Sequence, residues 1–322
     1  MKRVLVTGAR GFIGQHLVGE LQRRGLETRI LLRPGKERGP EAFAWDLDGE
    51  GGFPQQALQG VDTVFHLAGR AHAVSEQPGS GEELYRRTNL LATERLLAES
   101  VAAGVERFCL FSSVKAMGEG GAEPLDETAP CHPETPYGRS KREAEERVLA
   151  EARLPHTVVL RLCMVYGPGA KGNLTRMAAA IARGRFLPLP PVPNRRSMVH
   201  VEDVVQAALL SVARPEAGGK IFIVTDGEYY STAEITSWMY ESLGKTLPPI
   251  HLPLSVLRAL ARVGDGIGAL RGRRFLFDSS ALEKLLGSAA YSNRALKEQL
   301  GFTPKWGLKE TIPGLIAEVQ SS

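Results

Sequence analysis

The sequence predicts an α/β protein built on a doubly wound parallel sheet, with a smaller C-terminal lobe. Two observations carry this prediction. Short apolar runs alternate with longer helical patterns through the first half of the chain, which is typical of repeated strand–helix–strand units with right-handed crossovers. A glycine-rich turn, Gly8-Ala9-Arg10-Gly11-Phe12-Ile13-Gly14, joins the first apolar run to the first helical pattern, and this spacing suits a tight strand-to-helix turn.

The elements of the first half follow from hydrophobic periodicity. Lys2–Thr7 is a short, mostly apolar run and is predicted to be a buried strand. A helix is predicted at Phe12–Arg24, because Ile13, Leu17 and Leu21 recur every four residues. The same reasoning places strands at Arg29–Leu32, Ala42–Trp45, Asp62–Leu67, Arg107–Ser112 and Thr157–Leu162, and helices at Leu84–Ala102 and Pro136–Glu151.

The pattern changes after Tyr166. Pro188–Pro193 (PLPPVP) cannot form a regular helix or a central strand, because proline lacks the backbone donor, and we expect a loop or lid. Further short strands are predicted at Met198–Val201 and Ile221–Val224. Leu254–Val263 is amphipathic and could lie on a membrane surface, but packing within a second lobe is favoured.

Composition and charge narrow the classes of protein. The chain has 322 residues, of which 43% are hydrophobic and 24% charged, which is ordinary for a globular protein and excludes a disordered or collagenous chain. Forty Lys and Arg residues against 36 Asp and Glu give a net charge of +4. These charges are scattered, so we expect a solvated surface and no nucleic-acid partner.

The cysteines and the apolar runs bear on the compartment. Cys109, Cys131 and Cys163 form no CxxC pair, and we interpret them as reduced thiols. The opening run MKRVLV is too short for a signal peptide, and no run reaches the ~18 apolar residues of a membrane span. We therefore expect a cytoplasmic enzyme with no membrane span, and we predict no metal site.

The glycine-rich turn predicts a dinucleotide site of the Rossmann type. Gly8 permits the tight turn, Gly11 lets the backbone approach a pyrophosphate, and Gly14 lets the helix lie close to the sheet. The first helical residues, Phe12 and Ile13, offer N–H groups and partial positive charge to the anion. Because a strand precedes the motif and a helix follows it, dinucleotide binding is favoured over a purely structural turn.

The end of the second predicted strand bears on the choice of cofactor. An acidic residue there would bind the adenosine ribose and repel a 2′-phosphate, but the chain has Leu31-Leu32-Arg33. Arg33, helped by Arg10, can clamp a 2′-phosphate, so NADP(H) is favoured and NAD(H) is possible. The alternative is two solvated arginines. Asp46 and Leu47 follow the third strand and could hold the adenine, although Asp46 could equally cap a turn.

A tyrosine and a lysine supply a candidate catalytic pair. Tyr137-Gly138-Arg139-Ser140-Lys141 places the phenol and the ammonium one helical turn apart on one face. The ammonium is expected to lower the pKa of the phenol towards working pH. Ser113 follows the fifth strand, at the carboxyl edge where ligands bind in such sheets, and its hydroxyl could orient a substrate carbonyl. The alternatives are a half-buried aromatic for Tyr137 and a turn cap for Ser113.

At this point the sequence resembles a known family. TGARGFIG, HLAG, the Ser-Ser strand end, YGRSK, VYGPG and RSMVHVEDV occur in the order typical of extended short-chain dehydrogenase/reductases. More narrowly, the chain resembles the NAD-dependent epimerase/dehydratase group that acts on nucleotide sugars. The resemblance implies a Rossmann domain at 1–165, to which 198–225 returns, and a substrate-binding lobe made of 166–197 and 226–322. It also implies a homodimer formed through a helix pair.

The resemblance assigns further residues. It implies hydride transfer with Tyr137 as the acid/base, and an active-site framework stabilised by Asn89. Cofactor contacts are implied for His66, Leu67, Ala68, Gly69, Asn89, Tyr137, Lys141 and Cys163. Substrate contacts are implied for Lys115 near the sugar, Asn173 near the diphosphate or base, and Arg196 and Arg274 at the phosphates.

One residue departs from the family pattern. Many epimerases have asparagine where this chain has Met164, which speaks against an epimerase-type polar contact at that position.

Several functions remain open at this stage. The favoured one is reduction of a 4-keto nucleotide sugar, because Arg10 and Arg33 favour NADPH. The first alternative is a nucleotide-sugar 4-epimerase. A steroid-like or flavonoid-like ketone is a third substrate class, but the paired Arg195 and Arg196 argue against a neutral substrate. The last alternative is a cofactor-sensing protein without enzymatic activity, which is disfavoured because such proteins commonly lose the tyrosine or lysine.

Overall fold

The computed structural model describes residues 1–36, 39–49, 51–71, 80–271 and 277–321. Within these residues, seven parallel strands form one sheet. They are β1 (Arg3–Thr7), β2 (Glu27–Leu32), β3 (Ala42–Ala44), β4 (Thr63–His66), β5 (Arg107–Ser113), β6 (His156–Leu162) and β9 (Lys220–Val224). Their spatial order is β3-β2-β1-β4-β5-β6-β9. The direction of winding reverses between β1 and β4, so the predicted doubly wound parallel sheet is confirmed.

Helices cover both faces of this sheet. Residues of β1 alternate between the two sides, as strand geometry requires: Val4 and Val6 belong to one buried cluster and Leu5 to the other. The described helices are α1 (Phe12–Arg23), α2 (Ser80–Tyr85), α3 (Ala92–Ala102), α4 (Pro136–Ala150), α5 (Asn173–Ala182), α6 (Val201–Ala213), α7 (Thr232–Ser242), α8 (Leu254–Arg271), α9 (Ser279–Leu286), α10 (Arg294–Leu300) and α11 (Leu308–Ser321). The first cluster includes residues of α1 and α6, and the second includes residues of α3 and α4.

The helix predicted at Leu84–Ala102 is longer and less regular than expected. It begins with α2, continues through a π-helical segment at Arg86–Leu91, and ends with α3. Sequence periodicity did not reveal this segment, because a π-turn shifts the helical phase without changing the residue types. Such segments are frequent at functional sites, and this one contains Asn89.

The two strands predicted after Tyr166 belong to different sheets. The predicted strand Ile221–Val224 forms most of β9, which pairs with β6 in the main sheet. The predicted strand Met198–Val201 is shorter than expected: β8 covers Met198–His200 and pairs with β7 (Met164–Tyr166) in a separate two-stranded sheet. Val201 already begins α6. This small sheet lies next in sequence to the end of β6.

The C-terminal part has its own buried clusters. One contains side chains of α5, α7 and α11. In the other, Leu257 and Ala261 of α8 pack with Leu282 of α9, so this amphipathic helix packs within the lobe, as favoured above. The proline-rich run Pro188–Pro193 forms neither helix nor strand. Among the described helices, none is long and apolar enough to cross a membrane.

Candidate active site

The glycine-rich turn is held tightly against the end of β4. Gly8 has a φ of 70°, a conformation that favours glycine. A methyl group on Gly8 would lie 2.8 Å from the main-chain nitrogen of Ala68, and one on Gly14 would lie 2.2 Å from the carbonyl oxygen of Gly8. Both positions therefore need glycine, because α1 and the segment after β4 approach the turn too closely for a side chain.

The start of α1 has the features of an anion site. Gly11 is the N-cap of the helix and offers no side-chain cap, and the first turn contains no acidic residue. Among the first helical residues, Phe12 and Ile13 are partly exposed. Unpaired N–H groups at a helix start attract phosphate, so this turn fits the pyrophosphate of a dinucleotide.

A chain of buried hydrogen bonds runs from β1 to the π-helical segment. Thr93 donates its hydroxyl hydrogen to the carbonyl of Asn89 over 2.6 Å, so it can only accept from His66 Nε2, which is 2.9 Å away. His66 Nδ1 is then the acceptor for the Thr7 hydroxyl at 2.7 Å. Thr7 Oγ1 in turn accepts from the main-chain N–H of Ala68. This order fixes the Nε2–H tautomer of the imidazole.

The His66 imidazole stays neutral. Its pKa is lowered to about 3, mainly by burial and also by the positive charge of Lys141. The neutral ring therefore acts as a fixed connector between Thr7, at the glycine-rich turn, and the segment that carries Asn89.

Asn89 joins three parts of the site. Its Nδ2 donates to the carbonyl of Arg70 and to Ser140 Oγ, each over 3.0 Å. Its Oδ1 accepts from the main-chain N–H of Arg70 at 2.8 Å. A methyl group on Gly69 would lie 2.8 Å from Asn89 Oδ1 and 3.7 Å from Lys141 Nζ. The segment after β4 therefore lies between the glycine-rich turn and α4.

Ser113 and Tyr137 are brought together at the carboxyl edge of β5. The Ser113 hydroxyl acts on the Tyr137 phenol and lowers its pKa, and Ser113 Oγ accepts from the main-chain N–H of Lys115. Helix α4 starts at this point because Thr135 caps it: its Oγ1 accepts from the N–H of Gly138 at 3.0 Å. A methyl group on Gly138 would lie 2.4 Å from the carbonyl oxygen of Lys115, so glycine lets α4 reach the end of β5.

Lys141 is buried one turn further along α4. Its Nζ donates to the carbonyl of Phe111 over 2.8 Å. Burial lowers the pKa of Lys141 to about 8, while the negative charge of Glu145 works in the opposite direction. The ammonium is therefore mostly protonated at neutral pH.

The predicted lowering of the phenol pKa is wrong for the structure described. The pKa of Tyr137 is raised to about 12, and burial is the largest cause. Tyr85, whose ring centroid is 5.9 Å away, and Glu145 contribute to the rise, while Ser113 lowers the pKa and only partly offsets it. The expectation considered only the lysine charge and ignored desolvation, which is the larger effect here. The phenol is thus a proton donor at neutral pH.

Of the residues predicted to hold the adenosine, Arg33, Asp46 and Leu47 follow β2 and β3, and Arg10 lies in the glycine-rich turn after β1. Arg10 and Arg33 are exposed, and among the described residues neither guanidinium has a hydrogen bond or ion pair. Asp46 Oδ1 accepts from the main-chain N–H of Asp48 at 3.2 Å, so the turn cap considered above is present. Leu47 packs against the cluster that contains α3 and α4. Cys163 directly follows β6 and donates to the carbonyl of Val224 over 3.2 Å.

The charge of Glu119 acts on two of the predicted substrate residues. Lys115 forms an ion pair with Glu119, and the charge of Glu119 also acts on Arg196. Arg196 donates to the carbonyl of Gly287 at 2.9 Å. Asn173 is exposed at the first turn of α5, and no described contact joins it to the other two. Arg274 lies outside the described residues.

Sequence reasoning missed a polar group behind the catalytic pair. Glu145 is fully buried on α4 and is paired with Arg161 of β6. The available signal was its position four residues after Lys141, on a helix face that also carries Ala144 and Val148. An acidic residue on a buried helix face needs a partner, but the sequence did not say which one.

The fold and the site together define a class of protein. A parallel sheet with a glycine-rich turn at its switch point, next to a Ser–Tyr–Lys group, is the arrangement of a dinucleotide-dependent oxidoreductase. Residues 4–225 match the model of the NAD dependent epimerase/dehydratase family. This match covers more than half of the chain, and the protein belongs to that family, whose members are enzymes of the short-chain dehydrogenase/reductase type.

Individual relatives extend the similarity over nearly the whole chain. The chain is 29% identical over 317 residues to a UDP-glucose 4-epimerase of Vibrio cholerae, covering 96% of this chain and 93% of that one. It is 27% identical to the N-acetyl-alpha-D-glucosaminyl-diphospho-ditrans,octacis-undecaprenol 4-epimerase of Escherichia coli O157:H7, with 96% and 92% covered. Among solved structures, MoeE5 in complex with UDP-glucose and NAD has a TM-score of 0.76 at 28% identity, with 99% of each chain covered.

Proposed function

We propose that this enzyme catalyses hydride transfer at C4 of a nucleotide-linked sugar, with Ser113, Tyr137 and Lys141 as the catalytic group. One observation carries the proposal. The segment after β4 contacts the glycine-rich turn through Ala68 and lies beside Lys141 and Asn89 through Gly69. The dinucleotide crevice and the proton-transfer group therefore form one site, as hydride transfer coupled to proton transfer requires.

The chain's own residues account for the proton. In the reductive direction, the protonated phenol of Tyr137 donates to the sugar oxygen as negative charge develops there. The Ser113 hydroxyl, which acts on the phenol, orients the same oxygen. The Lys141 ammonium, anchored to Phe111, stabilises the phenolate that remains. When bound, the nicotinamide cofactor supplies or accepts the hydride.

The proposed cofactor site uses residues from four places. The pyrophosphate would be held by Gly8, Gly11, Phe12, Ile13 and Gly14, where no side chain blocks the approach. Asp46 and Leu47 would contact the adenine. The segment after β4, Asn89 and Cys163 would line the nicotinamide end. Arg10 and Arg33 have no partners among the described residues, and this favours a ligand with a 2′-phosphate, hence NADP(H), although the solved relative named above was crystallised with NAD.

Two directions of the chemistry have separate support. Arg10 and Arg33, which have no partner among the described residues, favour NADPH and therefore net reduction of a 4-keto sugar. The names of the relatives favour 4-epimerisation, in which C4 is oxidised and then reduced on the other face. Both directions use the same catalytic group.

We also propose a substrate lobe formed by 166–197 and 226–322, with the Rossmann domain at 1–165 and 198–225. Lys115 and Arg196 lie around Glu119, where their positive charges could meet a diphosphate. Asn173, at the first turn of α5, would contribute from another side. The predicted homodimer remains a prediction.

The experiment that tests the function separates the two directions. Purified enzyme is incubated with a panel of 4-keto and 4-hydroxy nucleotide sugars and with NADH, NADPH or NAD, and products are identified by mass spectrometry and NMR. A reductase adds two hydrogens to the 4-keto sugar and consumes reduced cofactor. An epimerase inverts C4 with no net change in cofactor. If no sugar nucleotide reacts with any cofactor, the proposed substrate class is wrong.

A further inference from the structure

The buried carboxylate of Glu145 on α4 contacts two adjacent strands of the sheet. Its Oε1 accepts from the Ser112 hydroxyl at 2.5 Å and from Arg161 Nε at 3.1 Å. Its Oε2 accepts from Arg161 Nη2 at 2.7 Å. Ser112 and Arg161 are register partners on β5 and β6, so the carboxylate holds α4 across two adjacent strands.

These contacts lie directly behind the catalytic group. Three consecutive residues at the end of β5 each contact α4. Phe111 accepts from Lys141, Ser112 donates to Glu145, and the Ser113 hydroxyl acts on the Tyr137 phenol. The three α4 residues are spaced four apart and thus lie on one face of the helix. A shift of Glu145 along β5 would therefore move the phenol and the ammonium together.

We propose that Glu145 is a positioning residue for the reaction. Its carboxylate fixes the position of α4 on β5 and β6, and its negative charge balances the Lys141 ammonium. The inference rests on the proposed function, because it assigns Glu145 a task for the Tyr137–Lys141 pair. It goes beyond that function in naming a group that never touches the substrate or the cofactor.

The pKa shifts of Lys141 and Tyr137 support the electrostatic part of this proposal. Glu145 raises the pKa of Lys141, against the burial that lowers it, and also raises that of Tyr137. It thus favours the protonated form of both groups, which is the form needed to donate a proton.

Other charged and titratable groups face these residues from each neighbouring element. Arg161 of β6 and Arg142 of α4 face Glu145, and Cys131, in the loop before α4, accepts from both guanidinium groups. His66 of β4 faces Lys141, and Tyr85 of α2 faces Tyr137. Glu127 interacts with Arg161 from a loop. Among these groups, Glu145 is the carboxylate whose charge acts on both Lys141 and Tyr137.

The test measures Lys141 directly, without any substrate. Protein carrying isotope-labelled lysine is titrated by NMR, and the Lys141 Cε signal is assigned by its loss in Lys141→Met. Glu145→Gln keeps the size of the side chain but removes its charge, and the Lys141 pKa should fall by about one unit. Glu143→Gln is the matched control, since Glu143 is an exposed residue of the same helix, and it should leave the Lys141 pKa unchanged.

Two further variants separate charge from position. Ser112→Ala removes the hydrogen bond but keeps the carboxylate charge, so turnover should fall about 10-fold with little change in the Lys141 pKa. If Glu145→Gln does not fold, the double variant Glu145→Gln with Arg161→Met removes both buried charges, and the downward shift should persist in it.

The outcomes distinguish the two proposals. A folded Glu145→Gln protein, or a folded double variant, with an unshifted Lys141 pKa and an unshifted pH profile of turnover overturns the inference. A shifted Lys141 pKa in a protein that turns over no sugar nucleotide supports the electrostatic role and rejects only the proposed substrate class.

Discussion

Lys141 Nζ donates a 2.8 Å hydrogen bond to the main-chain carbonyl of Phe111, two residues before Ser113. The ammonium is thereby fixed to the same strand end that carries the serine. Because a main-chain acceptor cannot be removed by mutation, the lysine position depends on how α4 is held against β5.

Loss of the phenol should abolish proton transfer without harming the cofactor site. Tyr137→Phe keeps the ring and its contact with Tyr85 but removes the hydroxyl that donates the proton in the proposed mechanism. Turnover should fall about 100-fold or more, and dinucleotide affinity, measured by calorimetry, should stay near that of the parent enzyme. Tyr240→Phe, on α7, is the matched control and should keep full activity. Near-normal turnover in Tyr137→Phe would remove the phenol from the mechanism.

Two glycines of α1 should respond oppositely to the same change. Gly14→Ala puts a methyl group 2.2 Å from the Gly8 carbonyl, so it should destabilise the fold by about 2 kcal/mol and weaken dinucleotide binding. Gly19→Ala meets no atom within 4 Å and should stabilise the helix by about 0.5–1 kcal/mol. Urea denaturation of both variants measures the difference. Equal effects would contradict the close approach of α1 to the turn.

The cofactor preference can be tested at one arginine. If Arg33 binds the 2′-phosphate, Arg33→Ala should weaken NADPH binding about 10-fold or more, because a charge-assisted contact to phosphate is lost. NADH binding should change little. Lys36→Ala is the control, as an exposed cation three residues away. Equal losses for NADH and NADPH would reject the preference for the phosphorylated cofactor.

His66 should make the fold sensitive to acid. Its pKa is lowered from 6.5 to about 3 in the folded protein, so the unfolded chain binds the extra proton first as the pH falls. Stability from this group is complete above pH 6.5 and is lost between there and about pH 3, by roughly 4–5 kcal/mol in all. Urea denaturation across this range should show a smaller loss in His66→Gln than in the parent. Replacement of the exposed His251 is the control. If the unfolding free energy of His66→Gln changed with pH as steeply as that of the parent, the buried, neutral state of His66 would be contradicted.

The sequence predicted the sheet better than it predicted the site. Strands such as β5 and β6 are buried on both faces, so their apolar runs identify them, and glycine spacing located the turn after β1. The direction of the Tyr137 pKa shift was missed, because it depends on burial by residues distant in sequence, including Tyr85. The π-helical segment left no periodic signal, and the partner of Glu145 is a register neighbour of Ser112 that only the assembled sheet identifies.

The π-helical segment gives the wall of the site an unusual tolerance. A π-turn takes up one residue more than an α-turn, so removing one residue between Arg86 and Leu91 would restore regular winding while α2 and α3 kept nearly the same orientation. The same removal within α3 would turn one side of the cut against the other by about 100°. The wall is therefore predicted to survive the loss of a single link here, where a stretch of regular helix would not.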